Sequence, residues 1–272
     1  MIGNLGAGNI AIKFNAQGPC LPVISACATS TNAIGEAFRA IKYGLADAII
    51  SGGTEAAVNP LAIGGFANMK ALSTSKDPDE ACLPFDIRRG GFVMAEGAGI
   101  VILEEYEHAV KRGAKIIAEV AGYGNTCDAY HYTAPRPDGT TTAAAFSLSL
   151  EEAGYTNDSL LYINAHGTGT KNNDLSEGRA IERLFGYLPV KFSSTKAFTG
   201  HTLGAAGAVE AVLGIMAIRN GWIYPNPGFA RQMSELRITP EKKLIRNTRI
   251  RNLMSNSFGF GGNNTSLIFS EC

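Results

Sequence analysis

Two parts of this chain repeat one order of elements. The first runs from the cysteine-led helix CATSTNAIGEAFRAIKYG (27–44) to AIISGG (48–53) and then GAGIVILEE (97–105). The second runs from GAAGAVEAVLGIMAIRNG (204–221) to GGNNTSLIFSE (261–271). Apolar strands alternating with helices in a repeated unit restrict the chain to an α/β sheet with helices packed on it, built as two similar halves. The first half is shorter in elements than the second.

The remaining segments fill in this frame. LPVISA (21–26) reads as a short buried strand that feeds the helix starting near Cys27. That helix spaces Ala33, Ile34, Ala37, Phe38 and Ile41 on one face and ends at Gly44. ADAIISGG is a strand, and GFVMAEGAGIVILEEYEHAVKRG gives two strands and a helix capped by Gly113. KIIAEVAGYGN begins a strand and TTAAAFSLSLEEAG is a helix. LLYINAH is a buried strand ending at His166, and KFSSTK a strand ending at Lys196. RNLMSNSFGFGGNNTSLIFSEC closes the chain with two strands around a glycine turn.

Composition narrows the function classes. With 272 residues, 45% of them hydrophobic, the chain can bury a sizeable core. Its formal net charge of zero leaves no footprint for nucleic acid or an acidic membrane surface. The five cysteines (Cys20, Cys27, Cys82, Cys127, Cys272) are odd in number, widely spaced and without a CxxC pair. That argues against a disulfide framework or a structural zinc site and favours reduced thiols in the cytoplasm. The first residues do not form a signal peptide, and no uninterrupted apolar run approaches a membrane span.

Chemistry-capable residues sit at strand ends, where open α/β folds handle ligands. They are Cys27, His166 in NAHGTGT, and Lys196 with His201 in STKAFTGHTLGAAGAVE. Each has a plain alternative: a small buried thiol, structural histidines, a lysine paired with Glu210 or Asp174. A helix N-terminus, however, favours a thiolate. The glycine loop NSFGFGGNN exposes backbone N–H groups of the kind an oxyanion needs. His108 belongs to a charged, solvated helix, whereas His131 sits among aromatic residues that could line a pocket. One cysteine, two histidines and a glycine loop together fit an acyl-transferring thiol enzyme. A papain-like hydrolase is the competing reading and leaves the second histidine without a role.

The motifs ACATSTNAIG, DAIISGGTEA, LPFDIRRGGFVMAEGAG, NAHGTGT, STKAFTGHTLGAAGAVE and NSFGFGGNN resemble the β-ketoacyl-[acyl-carrier-protein] synthases. The similarity is greatest to the elongating synthase II type of bacterial type II fatty acid synthesis, and it spans the chain. The resemblance implies a thiolase-like fold, an α/β/α/β/α layered sandwich whose first half is incomplete here. Residues 1–117 would be the remainder of the nucleophile-bearing half, and 118–272 the half with both histidines.

The resemblance further implies a decarboxylative Claisen condensation without a cofactor, its substrates carried on the phosphopantetheine of an acyl carrier protein. Cys27 would take the acyl chain, His166 and His201 would bind the malonyl thioester carbonyl, and Lys196 would support them. The N–H groups of Cys27 and Phe260 would form the oxyanion hole, with Phe260 also the gate. Thr168, Thr170, His131, Thr133 and Phe258 would line the substrate path. A homodimer is the implied assembly. About a third of a typical family chain, ahead of the cysteine strand, is not represented, and Asn263 stands where the family carries threonine. A type II polyketide ketosynthase and an incomplete, non-catalytic chain remain the alternatives.

Overall fold

The computed structural model describes residues 2–157, 160–186, 188 and 190–272. In chain order the helices are α1 (Leu5–Phe14), α2 (Thr29–Lys42), α3 (Pro60–Asn68), α4 (Tyr106–Lys111), α5 (Thr140–Glu152), α6 (Lys171–Phe185), α7 (Lys196–Thr199) and α8 (Ala206–Asn220). The strands are β1 (Ala48–Glu55), β2 (Gly97–Glu104), β3 (Glu119–Cys127), β4 (Leu161–Asn164), β5 (Lys191–Ser193), β6 (Asn252–Gly259) and β7 (Asn263–Ser270). β1 and β2 form an antiparallel pair. The other strands form one sheet in the order β3-β7-β6-β4-β5, with β4 parallel to both neighbours.

The repeat is visible in backbone geometry. Ala26 and Leu203 each open a 3₁₀ turn with a left-handed φ, +50° and +49°. Each turn runs into a long helix, α2 or α8, and each helix is followed by a left-handed glycine, Gly44 or Gly221. The two units match residue for residue from Ile24/His201 through Gly44/Gly221, so Cys27 corresponds to Gly204 and Asn32 to Val209.

α2 and α8 lie between the two sheets and cross one another, while α5 and α6 cover the other face of the five-stranded sheet. Alternating sheet and helix layers are those of the thiolase-like sandwich, with the first half reduced to β1 and β2. One apolar core joins α2 and α8 to the strands through Ile34, Tyr123, Tyr162, Leu253, Leu267 and Phe269. A second core under α5 and α6 holds Phe146, Ile163, Ile181, Phe192, Met254 and Ile268. Because α8 packs against both sheets, it is apolar nearly all round, as a core helix must be.

Several expectations change. LPVISA forms no strand; Leu21 and Ile24 are 80% and 83% exposed in extended coil. No strand among the described residues lies beside it, and a strand is not a stable element without a hydrogen-bonded neighbour. The run before β2 makes only isolated bridges, Leu72 with Phe92 and Met94 with His201. β5 stops at Ser193, and Lys196 instead opens α7. Helices α1, α3 and α6 were not expected from sequence. α1 and α3 bury no residue at all, and Leu61 and Ile102 add to the exposed apolar surface.

The helix crossing is tight because Gly207 lacks a side chain: a Cβ there would stand 1.8 Å from Thr31 Oγ1. Thr31 cannot simply turn away, since its hydroxyl donates to Ser257 Oγ at 2.7 Å. Gly207→Ala is therefore expected to lose about 1–3 kcal/mol of stability, the usual cost of overpacking. Chemical denaturation measures this, and combining it with Thr31→Ala should recover part of the loss.

Candidate active site

The helix crossing brings Cys27 and His201 together, and the turn after β4 adds His166 to the same cavity of about 620 Å³. Thr133, Thr168, Thr170, Phe258, Phe260 and Asn263 also line it. Lys196 lies directly behind His166, with its Nζ 3.2 Å from His166 Nδ1. The same ammonium nitrogen pairs with Glu210 Oε1, and both side chains are almost wholly buried. The expected Lys196–Glu210 pairing thus coexists with contact to the histidine. Donation from Nζ makes Nδ1 the acceptor and leaves the imidazole proton on Nε2.

The two histidine rings stand edge to face, with centroids 5.3 Å apart, and Phe258 and Phe92 flank them at 5.3 and 5.0 Å. Burial, with the positive charge of Lys196 adding to it, holds both imidazoles well below the ordinary histidine range. Both are neutral hydrogen-bonding groups at pH 7. His201 Nδ1 is buried without a partner among the described residues, so this ring retains hydrogen-bonding capacity for a bound group.

Helix α6 holds the His166 turn from beneath. Glu177 accepts the N–H groups of His166 and Gly167, each at 2.9 Å. Asp174 accepts those of Phe85 and Gly169 at 2.7 and 3.2 Å. Gly91 N–H donates to Gly169 O at 3.0 Å, which lays the 83–91 loop over the same turn. Thr168 and Thr170 present adjacent hydroxyls, 2.9 Å apart, to the cavity. Asp174 and Glu177, which hold this turn, are missed in sequence or seen there only as salt-bridge partners.

The Cys27 thiol departs from expectation. It sits in the 3₁₀ turn ahead of α2, yet burial pushes it up to about 12, against the lowering influence of Lys196. The resting thiol is therefore protonated at neutral pH, and dehydration outweighs the helix end. His131 is also displaced from its expected place. It is exposed outside the cavity lining, where Nδ1 accepts the N–H groups of Thr133 and Ala134 and shapes that loop. His108 is on the surface, where its Nδ1 is in hydrogen-bond contact with Glu104.

The buried groups have opposite effects on pH stability. Each histidine is neutral in the folded state but titrates near 6.5 when unfolded, so their contribution is lost as pH falls through that value. Burial raises Glu177 from 4.5 to about 7, so the folded state gains this proton first. Its contribution therefore grows as pH falls from about 7 towards 4.5, against that of the histidines. Glu177→Gln is expected to steepen the loss of stability between pH 7 and 5, read as urea midpoints across that window. An unchanged slope would show that Glu177 does not titrate there.

The geometry has close relatives. Residues 1–109 match the family described as the Beta-ketoacyl synthase N-terminal domain, and residues 117–230 its C-terminal domain. The chain is 46% identical over 274 residues to 3-oxoacyl-[acyl-carrier-protein] synthase 2 of Synechocystis, covering 100% of this chain and 66% of that protein. It is 44% identical to the mitochondrial 3-oxoacyl-[acyl-carrier-protein] synthase of Arabidopsis thaliana, covering 98% of this chain and 60% of the relative. It thus spans just under two thirds of these relatives. Among solved structures, a type II PKS ketosynthase in complex with its acyl-carrier protein superposes with a TM-score of 0.94 at 34% identity, over 99% of this chain and 67% of that one. A beta-ketoacyl synthase from Burkholderia phymatum gives 0.91 at 37% identity, over 99% and 65%. Matches to both domain families, in order and joined by one cavity, make this chain a member of the β-ketoacyl synthase family.

Proposed function

We propose that the site carries out a decarboxylative Claisen condensation on acyl-carrier-protein substrates, in fatty acid elongation. The observation that carries this reading is the neutral histidine pair, backed by Lys196 and sharing one cavity with Cys27. Cys27 sulfur attacks the acyl thioester; its S–C bond forms, and the carrier thiol leaves with the proton. Malonyl thioester then loses CO₂, and the electron pair of the broken C–C bond becomes an enolate. Two imidazole N–H groups stabilise the enolate oxygen where charge develops. The enolate carbon attacks the Cys27 thioester, a C–C bond forms as the C–S bond breaks, and the departing sulfur takes a proton from solvent. Backbone N–H groups at Cys27 and Phe260 take the oxyanion of the acyl carbonyl, with Phe260 as the gate.

Thr168, Thr170 and Thr133 fit a role along the path of the pantetheine arm, and Phe258 packs against His166. The reading needs no cofactor of its own. An acyl carrier protein is its partner, a homodimer its assembly and the cytoplasm its compartment; free cysteines support the last. The mitochondrial name of the plant relative is the counterexample. The polyketide ketosynthase neighbour favours a second reading, in which the same chemistry serves polyketide assembly. The exposed Leu21, Ile24, Leu61 and Ile102 favour a third, an associating chain without activity of its own.

Labelled acyl-carrier protein and malonyl-carrier protein test all three. Cys27→Ala should abolish acyl uptake. His166→Ala and His201→Ala should each lower CO₂ release by roughly a hundredfold or more, the usual effect of removing one oxyanion donor, while uptake at Cys27 persists. Loss of uptake alone in both histidine variants would overturn their assignment. Carrier exchange between fatty acid and polyketide systems separates the first two readings. Light scattering that shows only associated, inactive chain supports the third.

A further inference from the structure

The turn that presents Cys27 is held in a way its repeat counterpart is not. Ala26 has a left-handed φ of +50°, a strained conformation for a residue with a Cβ. Asn32, one turn into α2, donates from Nδ2 to Ser25 Oγ at 2.7 Å. Its other amide atom, Oδ1, accepts the hydroxyl of Tyr123 at 2.7 Å. Tyr123 belongs to β3 at the edge of the five-stranded sheet and is almost fully buried. It reaches Asn32 because residue 35 is glycine; a Cβ there would lie 2.3 Å from the tyrosine ring. Ser25 N–H donates to Thr29 Oγ1 at 2.9 Å, and Ser25 O accepts Ala28 N–H at 3.1 Å. A chain of hydrogen bonds thus runs from β3 through Asn32 to Ser25, the residue just ahead of the strained Ala26, whose own backbone is tied to Ala28 and Thr29.

The second repeat supplies an internal control. Leu203 adopts the same left-handed φ, and Ala205 N–H closes the same 3₁₀ turn onto Thr202 O at 3.0 Å. There the position of Asn32 is Val209 and the position of Cys27 is Gly204. The turn forms without the relay, so the relay is not what the turn requires. It occurs where a reactive side chain must be aimed.

We infer that Asn32 and Tyr123 are positioning residues that clamp the Ser25–Cys27 turn and set the presentation of the Cys27 thiol to the cavity. This rests on Cys27 being the reactive group of the proposed function. The clamp restrains a thiol that is buried and protonated, so releasing it should increase access of a small electrophile.

Iodoacetamide labelling of the intact 272-residue chain at pH 8, resolved peptide by peptide, tests the inference. In the unaltered chain Cys20, Cys127 and Cys272, all exposed, should label well before Cys27. Tyr123→Phe removes one hydroxyl and keeps the packing; Asn32→Ala removes both bonds. Each is expected to speed Cys27 labelling about three- to tenfold while Cys82, which is partly buried, labels at its original rate. Val209→Ala, the equivalent change in the other repeat, should leave Cys27 unaltered. A general loosening would instead raise Cys82 and Cys27 together, and that result overturns the inference, as do unchanged Cys27 rates in both variants. A chain that transfers no acyl group yet shows clamp-dependent labelling would overturn the proposed function and leave the clamp standing.

Discussion

The crossing of α2 and α8 at Thr31 and Gly207 is the contact on which the rest depends. It lets two helices that belong to different halves approach until a hydroxyl occupies the place of a missing Cβ. Because each helix is preceded by a 3₁₀ turn, close crossing also brings the two turns together beneath the glycine turn of β6 and β7. A wider crossing would separate Cys27 from His201 before any side chain in the cavity changed. Tight packing of small residues therefore sets the geometry of the cavity as well as contributing to stability.

Burial then decides the chemistry. Burial keeps the two imidazoles neutral and hydrogen-bonding, and the same burial keeps the Cys27 thiol protonated. Lys196 is the one group that works on both: its charge disfavours a proton on either histidine and favours a thiolate at Cys27. Its cost of burial is offset by Glu210 on one side and His166 on the other. The carboxylates of α6 extend this logic to the backbone, since Asp174 and Glu177 accept N–H groups and not cations alone. Removing either would leave buried donors unpaired, which is the more expensive half of a hydrogen bond.

Much of this was legible in the sequence, where it depended on local pattern. The helix from Thr29 and the strand at Ala48 follow from periodicity, and the cavity residues Cys27, His166 and His201, with Lys196 behind them, from their motifs. What was missed depended on neighbours. LPVISA has the composition of a strand, but pairing is a property of two segments, and among the described residues nothing pairs with it. Helix α6 is obscured in sequence because its inward face carries Asp174, Ser176 and Glu177, polar side chains satisfied by backbone groups of other segments, at Phe85, Arg136 and the His166–Gly169 turn. The Cys27 thiol was placed correctly and its acidity misjudged, because a helix end is visible in sequence and desolvation is not. His131 was read as a pocket residue from its aromatic neighbours, although its ring instead fastens the loop that follows.

The repeat explains why the site needs both halves. At equivalent positions one unit has Ile24 and Cys27, the other His201 and Gly204. Neither unit carries both the thiol and a histidine, so Cys27 and His201 meet in one cavity only across the crossing. The division also suits the chemistry: a histidine fixed two residues ahead of the turn and a thiol within the turn approach the cavity from opposite sides. Had both residues been retained in one unit, they would share one backbone turn, and any strain used to aim the thiol would also move the imidazole. Separated between two turns, each can be set independently, the imidazole by burial against Phe92 and the thiol by the geometry around Ala26. The exposed Ile24 and the buried His201 show how differently the two units use one backbone geometry.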